Sequence, residues 1–197
     1  DGGFVVTWEG YYQDGSKFGI FGQRYDTSGA SLGSEFQVNS YTQSNQRYPS
    51  VAALSDGGFV VTWQSENQDG DGYGIFGQRY DASGVSVGNE FQVNTNTQDD
   101  QDYPSATALS DGGFVVTWGS NNQDGSDWGI FGQRYDASGA PLDGEFQVNS
   151  HTANTQSHSS VTALPDGGFV VTWQSEGSQD GSGTGIFAKI FEASSEL

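Results

Sequence analysis

The chain has 197 residues, 33% of them hydrophobic, with 30 glycines, four prolines and no cysteine. That is enough for one domain with a real core and many tight turns, and it leaves no disulfide or thiolate metal site to hold the fold. Six Lys and Arg against 25 Asp and Glu give a formal charge of −19 and a pI near 4.1. Such a surface excludes nucleic acid as a partner, because phosphate binding needs basic side chains, and no run of ~20 apolar residues could enter a bilayer. It attracts cations instead, calcium above all in an extracellular setting.

Asp-Gly-Gly-Phe-Val-Val-Thr-Trp opens the chain at 1–8 and returns at 56–63, 111–118 and 166–173, each time after 55 residues. Gly-Ile-Phe-Gly-Gln-Arg-Tyr-Asp follows at 19–26, 74–81 and 129–136, and Glu-Phe-Gln-Val-Asn at 35–39, 90–94 and 145–149. The chain therefore reads as a single repeat domain with units 1–55, 56–110, 111–165 and a partial 166–197. It starts on a repeat block without methionine, which suggests a fragment of a longer polypeptide whose targeting signal lies elsewhere.

Within a unit, short runs of Val, Ile, Phe, Tyr and Trp alternate with clusters of Gly, Asp, Asn and Ser, a strand-and-turn pattern with no helical period. In the second unit the pattern predicts strands over Ser50–Leu54, Phe59–Trp63, Ile75–Tyr80 and Glu90–Asn94. Asp56-Gly57 between the first two is a hairpin signal, and Asp81-Ala82-Ser83-Gly84 joins the last two through an Asp that caps turn amides and a Gly at positive φ. An antiparallel four-strand meander follows. Phe59, Val61 and Trp63 alternate with Val60 and Thr62, so neither face is strongly polar and the sheet must be covered on both sides. Ala52 and Ala53 suit an innermost strand where sheets converge. The fold expected is all-β: a β-propeller of four-stranded antiparallel blades, about four with one incomplete, or part of a larger ring.

The units resemble a repeat of the form Pro-x-Val-Ala-x-Leu-x-Asp-Gly-Gly-Phe-Val-Val-x-Trp, then Gln-Asp-Gly-x-x-x-Gly-Ile-Phe, Asp-x-x-Gly and Glu-Phe-x-Val-Asn. Repeats of this type occur in very large secreted bacterial surface proteins, beside calcium-binding, adhesin-like or hemolysin-type repeats. The resemblance covers essentially the whole chain and implies a secreted, cell-surface module; a looser architectural similarity is to sialidase-type propellers. The second and third predicted strands occur four times and the outer two only three times, leaving unpaired edges. These imply close contact between the ends, a homo-oligomer, or contact with further repeats of the parent chain.

Gln-Asp-Gly recurs between the second and third strands, and Asn67, Asp69 and Asp71 place oxygens at alternate positions as a calcium loop does. Asp14, Asp124, Asp127 and Asp180 are the corresponding candidates in the other units; the competing reading is that each Asp caps its own turn. The recurring Trp8, Trp63, Trp118 and Trp173 read as packing between sheets, whereas Tyr12, Tyr73 and Trp128 vary in identity and are candidates to carry a sugar face. Arg24, Arg79 and Arg134 are expected to pair with Glu35, Glu90 and Glu145 on the adjacent strand. His151 and His158 lie in one connection and are expected at the surface; Asp99, Asp100 and Asp102 look like local variation. No catalytic residue stands out. Near-identical units argue for a non-enzymatic extracellular binding or scaffold module, adhesin-like and calcium-stabilised, with cell-surface glycans as the partners. A carbohydrate-binding lectin is the alternative, and a glycan hydrolase would need an asymmetric pair of carboxylates.

Overall fold

A computed structural model describes residues 2–193, which form fourteen strands in four antiparallel sheets and no helix. The first sheet is β1 (Phe4–Tyr11), β2 (Phe18–Tyr25) and β3 (Ser31–Gln37). The second is β4 (Gln46–Ala53), β5 (Phe59–Glu66), β6 (Tyr73–Tyr80) and β7 (Ser86–Gln92). The third is β8 (Gln101–Ala108), β9 (Phe114–Asn121), β10 (Trp128–Tyr135) and β11 (Pro141–Gln147), and the fourth β12 (Gln156–Ala163), β13 (Phe169–Ser175) and β14 (Gly185–Phe191). Each sheet is a meander in chain order, as the turn chemistry requires. Asp81 Oδ1 accepts from the amides of Ser83 and Val85 at 2.8 and 2.9 Å, and Gly84 sits at φ 84°.

Strands run beyond the apolar runs that mark them in the sequence. β4 begins four residues before Ser50, and β7 starts at Ser86 and ends at Gln92 where 90–94 was expected. The extension of β4, β8 and β12 passes through a bulge, with Tyr48, Tyr103 and His158 at φ 53°, 55° and 55°. Aromatic side chains do not announce a left-handed backbone, so composition alone starts the strand too late.

The core lies between sheets. In β5, Phe59, Val61 and Trp63 face the first sheet and pack with Ile20 and Val38, while Val60 faces the third and packs with Phe114, Val116 and Trp118. The same arrangement joins the third and fourth sheets, and Trp63, Trp118 and Trp173 are all buried in these seams. Close approach is allowed by glycine: a Cβ at Gly77 would lie 2.8 Å from the Phe91 ring, so the ring can cover the strand only where no side chain stands. β4, β8 and β12 pack against one another and form the inner edge of the assembly, with Ala52 buried there.

Arginine does not pair with glutamate as expected. A bulge between Gly77 and Arg79 puts Arg79 opposite Val87, three residues short of Glu90. The guanidinium instead reaches the next sheet and donates to the carbonyls of Ala137 and Ser138; Arg24 does the same to Ala82 and Ser83. Glu90 turns to the previous unit and accepts from the amide of Ser40 at 2.6 Å, as Glu145 does from Thr95 at 2.8 Å. Both groups are staples between sheets. Sustained packing joins successive sheets only, and among the described residues the first and fourth sheets leave outward faces exposed, so the ends do not close on each other.

Candidate functional site

At the end of the sheets where β4, β8 and β12 begin, the repeat rule fails. The position after the recurring Trp is Glu9, Gln64, Gly119 and Gln174, and the start of the inner strand carries Arg47, Asp102 and Ser157. These two positions meet across the seams. Glu9 is gripped by Arg47 through Nε and Nη2 at 3.1 and 2.8 Å, and its carboxylate also accepts from the amide of Tyr48 at 3.3 Å. Gln64 Oε1 accepts from the amide of Tyr103 at 3.1 Å. At the third seam Gly119 has no side chain to offer, and the space beside it is bounded by the Trp128 ring, 3.3 Å from where a Cβ would stand.

The bulges turn three rings outward in a row. Tyr48 and Tyr103 lie 4.7 Å apart between centroids, and His158 stacks on Tyr103 at 5.2 Å and 29°. Tyr48 and Tyr103 are 37% and 39% exposed, so the row is open to solvent on one side. Arg47 adds a cation over the rings of Phe18 and Tyr48, at 4.6 and 4.9 Å. The Tyr103 hydroxyl is held above its usual pKa, first by its hydrogen bond with Tyr48 and then by burial.

Asp102, half-buried, adjoins this row beside Tyr103. Burial pushes its carboxyl up to about 7, the neighbouring charge of Asp100 adds to the rise, and a hydrogen bond with Gln64 opposes it. Its Oδ1 is buried without a hydrogen-bond partner. Such an atom is an incomplete pairing, and a carboxylic acid that keeps its proton near neutral pH is a proton donor in waiting. Asp100 is fixed at the edge of the cluster, where its Oδ1 accepts from the amide of Tyr73 at 3.0 Å. The Tyr73 hydroxyl is raised by burial and by the charge of Glu66.

Of the sugar-face candidates, Tyr73 and Trp128 open strands β6 and β10 beside this cluster. Tyr12 lies apart, at a turn of the first sheet with φ 58° and in edge contact with Tyr11 at 4.5 Å. The Gln-Asp-Gly loops are tight turns: Asn67 at φ 62° donates to the Gly72 carbonyl at 2.6 Å. Asp69 folds inward, its Oδ2 accepting from Gln92 and Asn94 at 3.3 Å each, and burial raises its pKa. Asp124 repeats this with Gln147 and Asn149, while Asp14 and Asp180 cap the amides of Ser16 and Ser182 at 3.0 and 3.2 Å. A Cβ at Gly74 would fall 2.3 Å from Asp69 Oδ2, which explains the glycine that recurs five residues after each of these aspartates. Asp71 accepts from the amide of Asp99 at 3.3 Å, and the Asp127 carbonyl closes its loop onto Asn122. Among the described residues no three acidic or histidine side chains come together to hold a metal, so each loop offers one or two carboxylates.

Sequence reasoning passed over Tyr48 and Tyr103, took Asp102 for local variation and placed His158 at the surface without a role. The signal was present in the units themselves: the columns of Glu9 and of Arg47 vary between units while the blocks around them repeat, and the fold brings these two columns together at one end.

No protein-family model matches the chain, and no relative is found among curated proteins. Solved structures match its fold. An endo-arabinase from Bacteroides thetaiotaomicron VPI-5482 is 14% identical, with a TM-score of 0.54 over 100% of this chain and 72% of its own. An α-L-arabinofuranosidase from Fusarium graminearum is 14% identical, with a TM-score of 0.59 over 98% of this chain and 55% of its own. The NanB sialidase from Streptococcus pneumoniae is 14% identical, with a TM-score of 0.53 over 79% of this chain and 24% of its own. At these identities the likeness is one of fold: a propeller-like, all-β architecture of antiparallel sheets. These neighbours are glycan-degrading enzymes, which goes against the expectation of a non-enzymatic, adhesin-like module. Repetition does not exclude an asymmetric site, because at the end where β4, β8 and β12 begin the near-identical units present different side chains.

Proposed function

We propose that the chain is a glycoside hydrolase unit whose sheets stand as propeller blades, with its site at the start of the inner strands. Asp102 is the observation that carries this reading. A buried carboxyl with a pKa near 7 keeps a proton to give to the leaving glycosidic oxygen, and glycoside cleavage needs such an acid. Asp100 supplies negative charge beside the developing oxocarbenium ion, and the row of Tyr48, Tyr103 and His158, its rings packed on one another, offers ring edges and hydroxyls to the hydroxyl groups of successive sugars. Arabinose-containing glycans are the first substrates to test, since both an endo-arabinase and an arabinofuranosidase share the fold.

The test is release of reducing ends from linear arabinan and of nitrophenol from a 4-nitrophenyl α-L-arabinofuranoside. Asp102→Asn should lower kcat by ~10²–10⁴-fold, and wild-type kcat should fall as pH rises through about 7. Turnover that survives Asp102→Asn with an unchanged pH profile would overturn the assignment.

Calcium at the loop carboxylates is a separate proposal. It is supported by adjacent oxygens left without donors, Oε1 of Gln68 and Oδ1 of Asp69, and by the same Gln oxygen at Gln123 and Gln179.

A further inference from the structure

We infer that this chain associates head to tail with a second copy of itself, the fourth sheet of one molecule packing on the first sheet of the next. Every internal seam joins two unlike faces. The forward face of one sheet presents aliphatic residues such as Val60 and Ile75, and the rear face of the next presents Phe114, Val116 and Trp118. The first sheet carries the rear set without a cover: Phe4 is 53% exposed and Val6 43%, whereas their equivalents Phe59 and Val61 are 5% and 0%. The fourth sheet carries the forward set without a cover: Ile186 is 76% exposed, while Ile20, Ile75 and Ile130 at the same position are all 0%. One molecule thus holds both halves of a contact it already makes three times.

The fourth sheet also departs from its siblings in the direction of a drier contact. Where Arg24 and Arg79 staple the next sheet through carbonyls, this sheet has Ile190, 66% exposed. An exposed Ile at that position enlarges the apolar face, and unlike faces on opposite ends specify a heterologous, head-to-tail contact. Two copies would bring eight sheets together, within the number that closed propellers hold. A contact that does not close would grow into filaments instead, by the same pairing of faces.

Light scattering on size-exclusion fractions tests this with the 197-residue chain, Val6→Asp and Ile186→Asp. Wild type should exceed the 21.0 kDa of one chain, and each variant should fall to it with an unchanged circular dichroism spectrum. An equimolar mixture of the variants should recover a two-chain species, because each retains the face that the other lacks. A wild type that stays at one-chain mass at every concentration overturns the proposal. So does association that survives both substitutions, or a mixture that stays at one-chain mass when wild type does not.

Discussion

The two ends of the strand that carries the recurring octapeptide obey different rules. At one end, Asp-Gly-Gly-Phe-Val-Val-Thr-Trp is identical in four units, and in the second and third it buries Phe, Val and Trp on both faces. One residue past the Trp, the side chains become Glu9, Gln64, Gly119 and Gln174, and their partners on the inner strands differ as well. Packing between equivalent sheets tolerates a single solution, so it repeats; the site proposed above would have to treat the parts of a substrate differently and could not repeat. Identity marks the scaffold, and variation marks the end where that site is proposed.

The comparison can be broken hardest at its constant end. Trp118→Ala removes a wholly buried ring from the seam between the second and third sheets and should destabilise by about 3–5 kcal/mol, measured by urea unfolding. Asp102→Asn tests the variable end in the opposite sense. Its carboxyl has a folded pKa raised to about 7 from an ordinary 3.8, so the folded state binds the extra proton and loses stability as pH rises from about 4 to about 7. The amide does not pay that penalty. It should therefore raise stability by roughly 1–3 kcal/mol at pH 8, with the gain vanishing below pH 4, as read from melting curves at both values. A residue placed for packing would give a loss at both. The smallest effect belongs to the loops: 1 mM calcium should raise Tm by about 1–3 °C and a chelator should reverse it. No shift at that concentration would leave Asp69 and Asp124 as turn caps alone.

Much of the scaffold was legible in the residues. The period gave the meander, Asp-Gly and Asp-Ala-Ser-Gly gave the turns, and the alternation of Phe59, Val61 and Trp63 with Val60 gave a sheet covered on both sides. Long side chains were misread, because register alone suggests neighbours within a sheet, while the reach of Arg79 and the bulge before it carry its guanidinium across to the next. The site was hidden for a related reason. Its rings are aimed by positive φ at Tyr48, Tyr103 and His158, a backbone state that these residue types do not signal, and Asp102 meets Gln64 only across the seam between successive sheets.

Because every seam joins the same two faces, lengthening the chain by one more unit would add a contact without disturbing any already made. Gene duplication can therefore extend such an array in single steps, each new member free to drift just past the Trp and at the start of the inner strand while its flanks stay fixed. The outermost members have one neighbour rather than two, and amide exchange should be fastest there, falling toward the middle pair.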